Sequence, residues 1–235
     1  HENIRWLAQS LSAPLRLACD LPREILHWDN RWIECAQIDS GTVQAIYETF
    51  DLPAKIQSWP QIFFAKTLPD AVEALFIRFF TGALIVGFEL PPYLVHFCTR
   101  HDIPFVDLSL SAIRFMDDLL LDFSTSDKDM QNAAKPYQVP DGLIALQTGS
   151  VSAHMAKTFP KPPRPNSLLI ILQTRFDKVV IDGGRFVTIL DYLERLRDIA
   201  RDYDAVLVRD LEERRKAPDQ RSVISCRSAS GEALL

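Results

Sequence analysis

Leu84-Ile85-Val86-Gly87-Phe88-Glu89-Leu90-Pro91-Pro92 is the stretch on which the reading of the chain turns. A short apolar run ends in a carboxylate, and two prolines follow at once. Apolar runs of this length between helical patterns form parallel strands covered on both faces. Proline is tolerated in the first turn of a helix, where the N–H it lacks would have no partner. The segment therefore reads strand, turn, helix. Glu89 falls at the carboxyl end of the strand, where open α/β sheets place their ligands. Its plainer reading is as a cap on the following helix.

Upstream, Asp70 and Glu73 give a capping-box-like start to a helix. Val72, Leu75, Phe76, Phe79 and Phe80 then recur at helical spacing and predict a core-facing side. Downstream, the pattern predicts a helix from Pro91 to about Arg100 and a strand over 103–110. This alternation with short turns predicts a doubly wound parallel sheet. In Phe105-Val106-Asp107-Leu108-Ser109-Leu110, Val106, Leu108 and Leu110 share one face, Asp107 and Ser109 the other. A carboxylate inside a buried strand is costly unless it is paired or stands at the sheet's open edge. Asp107 is thus either functional or the partner of a nearby arginine such as Arg114.

Residues 124–166 change character. Ser124-Thr125-Ser126-Asp127-Lys128-Asp129 is polar, an apolar segment follows at 142–146, and Lys161-Pro162-Pro163-Arg164-Pro165 is too stiff to continue a helix. Beyond this break, Leu168-Leu169-Ile170-Ile171-Leu172 reads as a buried strand and Gln173–Lys178 as a loop. Phe186, Ile189, Leu190, Leu193, Leu196, Ile199 and Ala200 trace one face of a helix, with Asp191 and Arg195 paired on its solvated side. Strands are expected over 205–208 and 222–225. The expectation is an α/β protein of two Rossmann-like lobes, 1–163 and 164–235. The second, of only about 70 residues, is expected to be an incomplete Rossmann-type domain.

The first sixty residues are aromatic-rich, with Trp6, Trp28, Trp32 and Trp59 and helical patterns near 4–11 and 42–50. They are read as core filling, with acceptor binding and membrane docking as alternatives. Of the 235 residues, 47% are hydrophobic and 24% charged, enough for a sizeable core. A net charge of -5 argues against a nucleic-acid partner, which needs a basic face. No apolar run approaches the roughly 18 residues of a membrane span. Cys19, Cys35, Cys98 and Cys226 lack CxxC spacing and fit free thiols in a reducing cytoplasm. His96, Cys98 and His101 lie close together, but no second ligand pair joins them, so no metal is expected.

The chain carries no GxGxxG, P-loop or GxSxG, which weighs against a dehydrogenase, a kinase or an α/β-hydrolase. What remains are polar loops at expected strand ends. They are Glu89; Asp107 with Arg114, Asp117 and Asp118; Gln173–Lys178 with Arg185; and Arg227-Ser228-Ala229-Ser230-Gly231-Glu232. A Ser/Gly-rich turn entering a helix offers N–H groups and hydroxyls to a phosphate, and Glu232 could accept from ribose hydroxyls. An ordinary N-cap by Ser228 or Ser230 is the alternative.

These motifs come in an order that resembles a family. Gly87-Phe88-Glu89-Leu90-Pro91-Pro92, Ile103-Pro104-Phe105-Val106-Asp107, Ile113-Arg114-Phe115, Leu172-Gln173-Thr174-Arg175-Phe176-Asp177-Lys178, Gly184-Arg185-Phe186 and Ser228-Ala229-Ser230-Gly231-Glu232-Ala233 together resemble bacterial capsule and lipopolysaccharide glycosyltransferases of the retaining β-Kdo transferase type. The resemblance implies a two-lobed GT-B fold and transfer of Kdo from CMP-Kdo, a donor substrate rather than a cofactor, to a glycan or glycolipid acceptor. The implied location is the cytoplasm, with peripheral association at the inner face of the cytoplasmic membrane. It implies that Glu89 and Asp107 are the catalytic acids. Arg114, Gln173, Lys178 and Arg185 would face the donor's carboxylate or phosphate, and Ser228, Ser230 and Glu232 would hold the nucleotide. The family's Lys-Pro-His-Pro-like segment after the strand at 205–208 is replaced by Arg209-Asp210-Leu211-Glu212. That departure keeps a second reading open, a non-catalytic or degenerate transferase-like interaction module. A hydrolase using Asp107 and His101 is a third.

Overall fold

The computed structural model describes residues 2–18, 40–113, 116, 118–158, 166–209 and 224–227. The chain divides into two compact units, His1–Gly149 and Ser150–Leu235. The first contains α1 (Glu2–Ala18), α2 (Ser40–Glu48), α3 (Trp59–Phe63), α4 (Asp70–Phe80), β1 (Ile85–Phe88), α5 (Pro92–Arg100), β2 (Phe105–Leu110), β3 (Leu121–Thr125) and α6 (Lys128–Ala134). Helix α7 (Asp141–Thr158) spans the division, and β4 (Ser167–Ile171), β5 (Ile181–Asp182), β6 (Arg185–Phe186), α8 (Leu193–Ala200), β7 (Ala205–Arg209) and β8 (Ile224–Arg227) follow. The lobe boundary expected at 163/164 lies outside the described residues.

Helix α4 buries Val72, Phe76 and Phe80, spaced four apart on one stripe. Its start differs from the expected capping box. Pro69 is the N-cap and has no N–H for a glutamate to accept from, so Glu73 turns instead to Arg100 and His101. Helix α5 opens on Pro91-Pro92 and buries Tyr93, Leu94, Phe97 and Cys98. The two helices meet edge to face, with ring centroids 5.4 Å apart for Phe76 and Phe97 and 6.3 Å for Phe80 and Phe97. Ile46, Leu68, Ile103 and Phe105 complete this core, and Ile85 and Leu90 pack against it. From the aromatic-rich start, Leu7 is buried and Trp59 lies edge-on to Phe63 at 4.7 Å. Trp28 and Trp32 lie outside the described residues.

Strands β1 and β2 are parallel, and β3 returns antiparallel to β2. The sheet is thus mixed, with the order β1-β2-β3. Only the β1–α5–β2 crossover matches the all-parallel expectation here. The link from β2 to β3 is too short for a crossover helix, which a parallel return requires. The polar stretch after 124 turns out to hold structure: Asp127 accepts from the amides of Asp129 and Met130, at 2.8 and 3.1 Å, and so caps α6.

In the second unit β4 and β7 are parallel and β8 pairs antiparallel with β7. Strands β5 and β6 form a small hairpin with Gly183 and Gly184 at its tip, at φ 54° and 76°. Phe186 therefore sits in β6 and not on the helix where its spacing placed it. A 3-10 turn over Ile189–Tyr192 leads into α8, and Thr188 and Asp191 close a capping box on it. That contact draws Asp191 back toward Arg185, 2.7 Å away, instead of forward to Arg195. The expected buried strand is open on one face, with Leu169 56% and Ile171 57% exposed. Among the described residues of this unit, Ile181 alone is a buried hydrophobic. The molecule is a mixed α/β protein of helices and small sheets. Among the described residues, no helix is long and apolar enough to cross a membrane.

Candidate functional site

The carboxyl end of β1 is where local chain chemistry is most unusual. Glu89 continues the ladder one residue past the strand, its amide donating to the Leu108 carbonyl at 2.8 Å. Its φ is nevertheless +56°, in the left-handed region. Such a backbone costs an ordinary side chain roughly 1–2 kcal/mol. The other described non-glycine residues with positive φ are Asp51, Asp102 and Asn166, types whose short polar side chains tolerate it. Glu89 has no such excuse. Strain of this kind concentrates at functional sites.

Leu90 follows, and its amide donates to Asp107 Oδ1 at 2.8 Å. Asp107 lies beside Gly87 in the parallel register, on the same side of the sheet as Ile85 and Phe105. A Cβ on Gly87 would collide with the Leu90 side chain. Glycine is thus needed there for close approach, not for a turn. Pro91 then serves as N-cap of α5, without a side-chain cap hydrogen bond. Asp107 thus reaches the backbone amide of the residue that follows Glu89. Sequence reasoning named both carboxylates but gave Gly87 and Leu90 no part. The available signal was a glycine inside an apolar strand.

The other expected residues fall elsewhere. Gln173 is exposed in the loop after β4. Lys178 opens a 3-10 turn over Lys178–Val180 that Asp177 caps through the Val179 amide. Arg185, on β6, is ion-paired with Asp191. The Thr188 amide, and then Arg185, hold the Asp191 carboxyl below its ordinary range. Phe176 and Phe186 pack 5.3 Å apart in this loop cluster, with the Arg175 guanidinium 5.2 Å from the Phe176 ring centroid. Arg114, Ser228, Ser230 and Glu232 lie outside the described residues, and Arg227 ends strand β8 instead of opening the turn after it.

His101 stands at the carboxyl end of α5, and its Nε2 is 2.5 Å from Glu73 Oε1. Arg100 bonds both Glu73 oxygens at 3.2 Å and also donates to the Lys66 carbonyl. The His101 hydrogen bond, with help from Arg100, holds Glu73 below the usual carboxylate range. Cys98 is fully buried, and burial pushes its thiol up to about 11. Among the described residues, no group of three or more His, Cys, Asp or Glu could hold a metal ion. A cavity of about 30 Å³ lies between Tyr47 and Tyr93, lined otherwise by apolar core residues. It has room for about one water, whereas small-molecule sites run to about 300 Å³ or more. Burial raises both phenols. Comparison with family models, curated proteins and solved structures gave no match.

Proposed function

We propose that the chain is a glycosyltransferase of surface-polysaccharide assembly that transfers a nucleotide-activated sugar, Kdo from CMP-Kdo, to a glycan or glycolipid acceptor. The observation that carries this reading is Glu89, a non-glycine residue held at φ +56° at the carboxyl end of a parallel strand. The order of motifs from Gly87 to Ala233 supplies the chemical class. On this reading Glu89 meets the anomeric carbon of the donor. Arg114, Gln173, Lys178 and Arg185 face the donor's acidic groups, and Ser228, Ser230 and Glu232 hold the nucleotide. The reading carries with it the two lobes of a GT-B enzyme and action at the inner face of the cytoplasmic membrane.

Thermal denaturation with CMP, CMP-Kdo, UDP and UDP-glucose at millimolar concentration tests it. A ligand at 100 times its Kd stabilises by about 2.7 kcal/mol, a readily measured rise in Tm. A rise with the cytidine compounds alone is expected. A rise with uridine compounds alone would change the donor, and none at all would overturn the transferase reading. Glu89→Gln should abolish turnover with Tm nearly unchanged.

A second reading has its own observation. The described part of the second unit leaves Leu169, Ile171, Val179 and Leu190 more than half exposed. An apolar surface of that kind suits a degenerate transferase-like module that works by contact. Absence of nucleotide binding would favour it.

A further inference from the structure

We infer that Asp107 is a positioning residue, which sets Glu89 by gripping the Leu90 amide. The inference rests on the reading of Glu89 as the acting carboxylate. Asp107 Oδ1 is committed to the Leu90 N–H at 2.8 Å. Leu90 is the residue immediately after the left-handed one, so fixing its amide fixes the peptide plane that closes the Glu89 turn. On the other side, the Glu89 amide is fixed to the Leu108 carbonyl at 2.8 Å. Both anchors come from β2, one from a side chain and one from the backbone of the next residue. The strained residue is thus bracketed by a neighbouring strand that is itself held by its ladder to β3.

Gly87 completes the device. Its register partner is Asp107, and the Leu90 side chain fills the space where a Gly87 side chain would stand. A Cβ there would collide with Leu90 Cγ and Cδ2 and force that side chain to shift, and on this inference its amide shifts with it. Gly87 and Asp107 therefore act on Glu89 through the same residue. Leu90 also packs against the core formed by α4 and α5, which ties the clamp to the stable part of the unit.

The test separates a grip from a reacting group by asking what asparagine can replace. An asparagine at 107 keeps an oxygen for the Leu90 N–H but cannot exchange a proton as a carboxylate does. Hydrogen exchange at the Leu90 amide is measured with consumption of CMP-Kdo in wild type, Asp107→Asn, Asp107→Ala and Gly87→Ala. Exchange at the Phe97 amide reports whether each variant is folded. The expected result is about a tenfold or greater loss of Leu90 protection and loss of turnover in Asp107→Ala and Gly87→Ala. Asp107→Asn should keep most of both. Loss of turnover in Asp107→Asn with Leu90 still protected would make Asp107 a reacting group and overturn the inference. Unchanged Leu90 exchange in Asp107→Ala would overturn it as well. A wild type that consumes no CMP-Kdo would overturn the reading of CMP-Kdo as the donor instead. The exchange pattern would then decide the clamp alone: loss in alanine with rescue by asparagine supports it, and any other pattern sinks it.

Discussion

The parallel pairs β1–β2 and β4–β7 are built alike and end differently. Each joins two apolar strands through a helix. Around the first pair, α4 and α5 supply Val72, Phe76, Phe80, Tyr93, Leu94, Phe97 and Cys98, and the centre of that cluster is sealed from water. Between β4 and β7, α8 is a single charged helix, Leu193-Glu194-Arg195-Leu196-Arg197-Asp198-Ile199-Ala200, and Ile199 itself is exposed. Leu169 and Ile171 stay open although they read as apolar as anything in β1. Burial of a strand is a property of the helices laid over it, and a strand's own composition reports only the demand for cover.

The largest expected contrast is chemical. With Cys19, Cys35 and Cys226 replaced by serine, Cys98 is the one thiol left. Burial raises it from the ordinary 9.0 to about 11, which alone lowers the thiolate fraction about a hundredfold, and full enclosure slows it further. Labelling with a thiol reagent at mild alkaline pH should therefore be at least about a hundredfold slower in the native protein than in urea. Rapid labelling without denaturant would show that the first unit opens easily and that its core is not the more stable of the two.

Truncation gives the energetic version. Phe97→Ala removes a ring that contacts Phe76 and Phe80 at the centre of the first core. It should cost about 3–5 kcal/mol in urea denaturation. Leu169→Ala, on the open face of β4, should stay within about 0.5 kcal/mol. Similar losses at both positions would mean that the β4 face is covered in solution.

The same contrast explains what could be read from sequence. Helix α4, β1, α5 and β2 announced themselves because periodic apolar residues meet proline and polar punctuation at each junction. Strand β3 did not, since only Leu121 and Phe123 of its five residues are large and apolar, and Phe123 is itself exposed. Phe186 misled because it lies in helical phase with Ile189 and Leu193, while Gly183-Gly184 was the better guide to a hairpin. At the site, strand-end logic picked out Glu89 and Asp107 separately. Their connection through the Leu90 amide depends on the register of Gly87 against Asp107, a pairing between strands that no local pattern encodes.

Glu89→Gly sharpens the site half of the comparison. Glycine adopts φ +56° without the clash of a Cβ, so relief of strain should outweigh the extra entropy lost on folding. A net gain of about 1 kcal/mol is expected in urea denaturation, together with loss of the carboxylate's function. A stabilised but inactive variant is the signature of strain kept for use. A destabilised one would show that the glutamate side chain holds the turn together, and the strain argument would fall.

The smallest effect should be the pH dependence of two paired carboxylates, one in each unit. Glu73 is lowered chiefly by the His101 hydrogen bond, Asp191 chiefly by the Thr188 amide. A carboxyl whose folded value lies below its unfolded one binds protons more readily when unfolded. Its contribution is thus fully present above the ordinary value, 4.5 for Glu73 and 3.8 for Asp191, and is lost as pH falls through the folded value. Glu73→Gln should flatten the stability of the first unit below pH 4.5, and Asp191→Asn should do so for the second only below 3.8. The two also differ in salt response. Glu73 and Asp191 both owe part of their shift to an arginine, which salt screens. The Asp191 shift is led by a backbone amide donor, so it should survive added salt better than that of Glu73, whose partners His101 and Arg100 are both basic side chains. Equal salt sensitivity in the two acid limbs would show that the Thr188 capping contact is not what holds Asp191 down.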